Sequence, residues 1–113
     1  MSDEAIERRL QELRDTAKKY AVAFAQREYL DEFKRSKLAM LMKSAERDGY
    51  TTAAAQEREA RAHQDYLGLL DGLKAATEAA EALRWELKIA EIGAEIWRTR
   101  QATARAERRG YGA

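Results

Sequence analysis

Ten apolar positions run through the second half of the chain at alternating steps of three and four: Tyr66, Leu69, Leu73, Ala76, Ala80, Leu83, Leu87, Ala90, Ala94 and Trp97. No charged residue interrupts them. A stripe of that period lies along one face of a long helix and packs lengthwise against other helices. The first half carries a matching but broken stripe. Ile6, Leu10, Leu13, Ala17, Tyr20 and Phe24 begin it, the polar residues Arg27, Asp31 and Lys34 occupy the next positions, and Leu38 and Leu41 resume it.

The ends of these elements are marked by residues with specific backbone chemistry. Ser2 is a good N-cap, and Asp3 and Glu4 fall in the first turn, where the positive end of the helix dipole favours them. No glycine interrupts the chain before Gly49. A helix over about residues 3–47 would be ~65 Å long, with Gly49 able to adopt the left-handed conformation that ends helices. Thr51 or Thr52 can cap a second helix over about residues 53–109. His63-Gln64-Asp65 is a candidate break at residues 63–65, with Asp65 as a new N-cap. Residues 110–113, Gly-Tyr-Gly-Ala, are expected to fray. Gly68, Gly72 and Gly93 each weaken the second helix by up to ~1 kcal/mol relative to alanine. Close approach of another backbone would compensate for them.

The second helix is apolar on a second face. Trp85, Ile89, Ile92 and Ile96 are spaced by four, three and four, well away from the main stripe. The first helix has a weaker counterpart in Val22, Tyr29, Phe33 and Met40. A two-helix hairpin covers only one face of each helix, so a second apolar face calls for a further neighbour. That neighbour is either a second copy of the chain or a bent segment at residues 53–64. The expectation is an all-α, coiled-coil-like antiparallel hairpin, one elongated domain over residues 1–113, assembling into a helical-bundle dimer or higher oligomer. Trp85, Ile89, Ile92, Ile96, Val22, Tyr29 and Phe33 are its candidate interface.

Composition excludes more than it identifies. The chain has no proline and no cysteine, so there is no disulfide framework, thiolate nucleophile or thiolate metal site. No window is long and apolar enough to cross a bilayer, and the acidic start lacks the apolar region of a signal peptide. No membrane association and a cytoplasmic location are expected. His63 is the only histidine and lacks the partners of a triad or a zinc site. No glycine-rich phosphate loop is present. Carboxylate pairs at helical spacing occur at Glu4/Glu7, Glu12/Asp15, Glu28/Asp31 and Glu78/Glu81. Magnesium-dependent all-helical pyrophosphatases use such pairs, but on helices that converge on one metal. The first three pairs here share one helix. No catalytic residue, cofactor or metal is expected.

Two features bear on partners. Arg27, Asp31 and Lys34 sit on the stripe itself, where charges are costly unless paired. They form either a salt-bridged layer that sets register, through Arg27–Asp31 and Asp31–Arg35, or a polar pocket lined by Tyr29 and Lys37. Charge is nearly balanced, 21 basic against 20 acidic residues, so a strongly basic nucleic-acid binder is not indicated. Its distribution is uneven, however. Arg98, Arg100, Arg105, Arg108 and Arg109 crowd the C-terminal helix with only Glu107 among the last of them, and Lys34, Arg35, Lys37 and Lys43 form a second concentration. Such arginines complement a helix C-terminus or bind an anion such as nucleic acid.

Four segments carry a resemblance. Tyr29-Leu30-Asp31-Glu32-Phe33-Lys34, the stretch Thr52 to Ala60, Leu83-Arg84-Trp85 and Glu95-Ile96-Trp97-Arg98-Thr99 resemble patches of small helical proteins encoded by tailed bacteriophages and prophages. The similarity runs from about Tyr29 to Arg108. Proteins of that kind are generally of unassigned function and often lie among genes for phage DNA metabolism. The resemblance implies a phage origin and a role near recombination or replication, and it transfers no catalytic residue. The expected function is a non-enzymatic interaction module that binds itself and another protein. Nucleic-acid binding through the basic C-terminal helix is the alternative. A small inhibitor of a host defence or metabolic enzyme would carry the same sequence signature as the module.

Overall fold

The computed structural model describes residues 2–112, with side chains for 2–110. It is all-helical: α1 spans Asp3–Arg47, α2 spans Ala53–Ala62, and α3 spans Gln64–Gly112. The molecule is a thin rod measuring 88 × 26 × 15 Å. α1 and α3 form the long antiparallel hairpin, and α2 closes one end.

The helix ends follow the local chemistry. The Ser2 hydroxyl accepts from the Ala5 amide at 3.2 Å, and the Thr52 hydroxyl accepts from the Ala55 amide at 3.1 Å. Thr52, not Thr51, is therefore the cap of α2. At the end of α1, Gly49 has φ +107°. The Gly49 amide donates to the Glu46 carbonyl and the Tyr50 amide to the Ala45 carbonyl, both at 3.1 Å. Those two bonds satisfy carbonyls that the ending helix would leave open, and they need the left-handed residue between them.

The break falls at His63, which is extended with φ −68° and ψ 139°. The expected cap, Asp65, is replaced by His63 itself. Its Nδ1 accepts from the Asp65 amide at 3.0 Å. The ring reaches the second amide of α3 much as an asparagine would, and Asp65 is left free for another pairing. At the other end α3 continues past Arg109 to Gly112. Ala113, the last residue of the expected frayed tail, lies outside the described residues.

The core is small and sits at the closed end. Leu41, Ala60 and Tyr66 are its centre, with Leu38, Met42 and Leu70 packed around them. Each helix contributes: α1 through Leu41, α2 through Ala60, and α3 through Tyr66. Further along the hairpin, Ala80 is fully buried at 0 % exposure. A methyl-sized side chain there lets α1 and α3 lie close together. The glycines of α3 play no such part. A Cβ built at Gly68, Gly72 or Gly93 would meet nothing within 4 Å. No backbone of the same chain approaches these positions closely.

Candidate functional site

The stripe of α3 splits into two regimes. From Tyr66 to Ala90 its residues are buried or half-buried against α1, but Ala94 and Trp97 are exposed. Trp97, expected in the core, is 52 % exposed. At this open end α2 is far away, and α1 supplies only Ile6, Leu10 and Leu13 against Ala90, Gly93 and Ala94. Those three small residues cannot fill the space. A cleft of about 520 Å³ remains between the helices, walled by these side chains together with Ile89 and Trp97 and with Arg9 at its edge. Sequence periodicity did not reveal this cleft, since it treats every stripe position as equally covered. The run of small residues at 90, 93 and 94 was the available signal.

The second face of α3 is open throughout. Trp85 is 50 % exposed and Ile89 65 %. Ile92 and Ile96 are similarly exposed and flank a shallow depression with Thr99. Every residue from 91 to 103 is exposed. Segment 53–64 does not cover this face, because α2 is spent on the closed end, where Ala60 packs beside Leu41 and Tyr66.

Val22 and Tyr29 on α1 are also exposed, and Phe33 is half-buried beneath Tyr29, whose ring stacks on it at 5.9 Å. At about 100° per residue these positions lie roughly opposite the α1 stripe, and Trp85, Ile89, Ile92 and Ile96 lie about 150° from the α3 stripe. The two apolar faces therefore occupy opposite edges of the hairpin.

The polar positions of the α1 stripe form a cross-helix ion-pair layer, with different partners from those expected. Arg27 lies 3.4 Å from Glu81 on α3 and 3.4 Å from Glu28, with its guanidinium 5.0 Å above the Phe24 ring. Glu81 is also held by Arg84 at 2.8 Å. The hydrogen bond from Arg84 holds the Glu81 carboxyl below the usual carboxylate range; partial burial opposes this, and the charges of Arg84 and Arg27 add to it. Asp31 pairs with Lys34 at 3.4 Å and Arg35 with Glu32 at 3.5 Å, one turn apart in each case. The expected Arg27–Asp31 and Asp31–Arg35 pairs are not formed, because Arg27 turns inward to α3. Lys37 also reaches across, to Asp65 at 3.7 Å. Tyr29 lies about 80° around α1 from Lys37 and stacks on Phe33 instead.

This layer also answers the carboxylate-pair question. The hairpin brings Glu28 of α1 level with Glu81 of α3, but the Arg27 guanidinium stands between them. Among the described residues no group of three potential metal ligands forms, and no helix is long and apolar enough to cross a membrane.

The basic residues divide by location. Lys34, Arg35 and Lys37 are matched by nearby acids, as above. Arg98 lies 3.6 Å from Glu95. Arg100, Arg105, Arg108 and Arg109 are exposed on α3, beyond the apolar cleft. No protein family, curated protein or solved structure matches the chain.

Proposed function

We propose that this chain is a non-enzymatic, self-associating helical interaction module, phage- or prophage-encoded and accessory to recombination or replication of phage DNA. The observation that carries the self-association is the exposed stripe Trp85, Ile89, Ile92 and Ile96, which none of the described residues covers. Four large apolar side chains at coiled-coil spacing on one helix face favour burial against a second copy. The phage assignment rests on the resemblance of the four segments quoted above.

Sedimentation at micromolar concentration tests the self-association. A dimer or larger species is expected, and a clean monomer would sink the reading. Ile92→Glu places an unpaired charge in that face and should dissociate the assembly. Because Ile92 is outside the α1–α3 packing, most of the variant's helical circular dichroism should survive, with any loss confined to the unpacked end of α3. For the cellular role, pull-down from lysogenic or infected cells is done with and without nuclease. A phage recombination or replication protein recovered after nuclease treatment is the expected result.

The exposed arginines of α3 favour a second reading, nucleic-acid binding. It requires affinity that falls steeply with salt through counterion release, and recovery of nucleic acid alone in the pull-down would support it.

A further inference from the structure

We infer that two copies pair antiparallel along the free face of α3, with Ile89 of each chain opposite the partner's Ile92. The inference rests on the self-association proposed above and adds its polarity and register.

The exposed residues of α3 define a longer seam than the four apolar ones. Continuing the same three-and-four spacing in both directions reaches Ala75 at one end and Ala106 at the other, ~45 Å apart along the axis. Every position on it is exposed in the single chain. Its four large apolar residues are centred on the midpoint between Ile89 and Ile92, with smaller or polar residues on both sides. Moving outward, Trp85 is matched by Ile96, and Ala82 by Thr99. Glu78 is matched by Thr103, and Ala75 by Ala106. A two-fold axis at that midpoint sets each residue against its match on the other chain. The four bulky side chains then share the centre with their counterparts. Further out, the Glu78 carboxylate lies within reach of a hydroxyl donor, and alanines face each other at both ends.

The flanking charges choose between the two polarities. In the antiparallel register Lys88 lies beside the partner's Glu95, separated by about two residues of axial rise. Side chains lean toward the N-terminus of their own helix, so these two lean toward each other. On the other flank, Glu86 leans toward the partner's Arg100 across about five residues of axial rise, within reach of the long arginine side chain. Two-fold symmetry makes each pair twice. A parallel arrangement sets Glu81 against the partner's Glu86, a like-charge contact that offsets its one favourable pair, Glu95 with the partner's Arg100. It also stacks Trp85 directly on the partner's Trp85.

The antiparallel arrangement also covers what the single chain leaves bare. Residues 91–103 are exposed at every position despite carrying Ile92 and Ile96 on the free face. A helical stretch with so little packing is marginal in water. In the pair, its free face lies on the partner's α3 from about Glu78 to Lys88, a stretch backed by that chain's own α1. The result is a flat array in which the two α3 helices are inside and the two α1 helices outside.

The absence of cysteine makes engineered thiols clean reporters. Chains carrying Ile89→Cys and Ile92→Cys are oxidised separately and as a mixture. Disulfide-linked dimer in the mixture alone is expected. Linkage of each variant with itself, or no linkage from a chain that sediments as a dimer, would overturn the antiparallel register while leaving self-association intact. A chain that sediments as a monomer would instead remove the reading beneath it. As a second measurement, Lys88→Glu should raise the dimer dissociation constant about tenfold, and Lys88→Glu with Glu95→Lys should restore it. No restoration would overturn the pairing.

Discussion

Ala80 shows how much one side chain decides. It is fully enclosed between α1 and α3, so Ala80→Leu has no space to enter and must push the helices apart. Overpacking of that kind costs about 1–3 kcal/mol, and chemical denaturation should show it as a lower midpoint. Glu81, one residue on, has an electrostatic counterpart. Its carboxyl is held below the ordinary value of 4.5, first by the Arg84 hydrogen bond. A depressed carboxylate contributes stability that is present above its unfolded value and is lost as pH falls through the folded one. Wild type should therefore lose stability below about pH 4.5 more steeply than Glu81→Gln, measured as the melting temperature against pH. Equal acid sensitivity in the two proteins would show that the Arg27–Glu81–Arg84 cluster contributes nothing to folding.

At the scale of the element, the glycines separate by backbone conformation. Gly49 occupies the left-handed region at φ +107°, where a side chain is strained, and it allows the two bonds that close α1. Gly49→Ala should destabilise the protein by about 1 kcal/mol. Gly72 sits in regular helix with open space around it. Gly72→Ala should stabilise by up to about 1 kcal/mol, through helix propensity alone. Opposite shifts in the thermal midpoint are the expected pair of results. A loss at Gly72 would mean that a neighbour approaches it in the assembled protein.

The whole molecule is an 88 Å rod whose closed end is packed and whose open end is not. The arginines of α3 beyond the cleft take no part in that packing. Replacing Arg105, Arg108 and Arg109 together with glutamine should change stability by less than about 1 kcal/mol per residue and leave the sedimenting species unchanged. Salt-sensitive DNA or RNA binding in a gel shift, lost in this triple variant, would instead establish the nucleic-acid reading.

The sequence by itself determined the helices, the cap at Ser2, a threonine cap at 51 or 52, the turn at Gly49, the break near residue 63 and the face that α3 buries through Ala80. Each of these depends on interactions within a few residues, or on a period that repeats every turn. Only the tertiary structure decided that Arg27 meets Glu81 rather than Asp31, that Lys37 meets Asp65, and that Trp97 stands exposed beside a cleft. These depend on the axial register between two helices. Register is a sum over the whole packed length, so no local window contains it. His63 replaced Asp65 as the cap for a related reason. Both side chains suit that position, and α3 begins two residues earlier than an Asp65 cap would set it, leaving the Asp65 carboxylate to meet Lys37 across the hairpin.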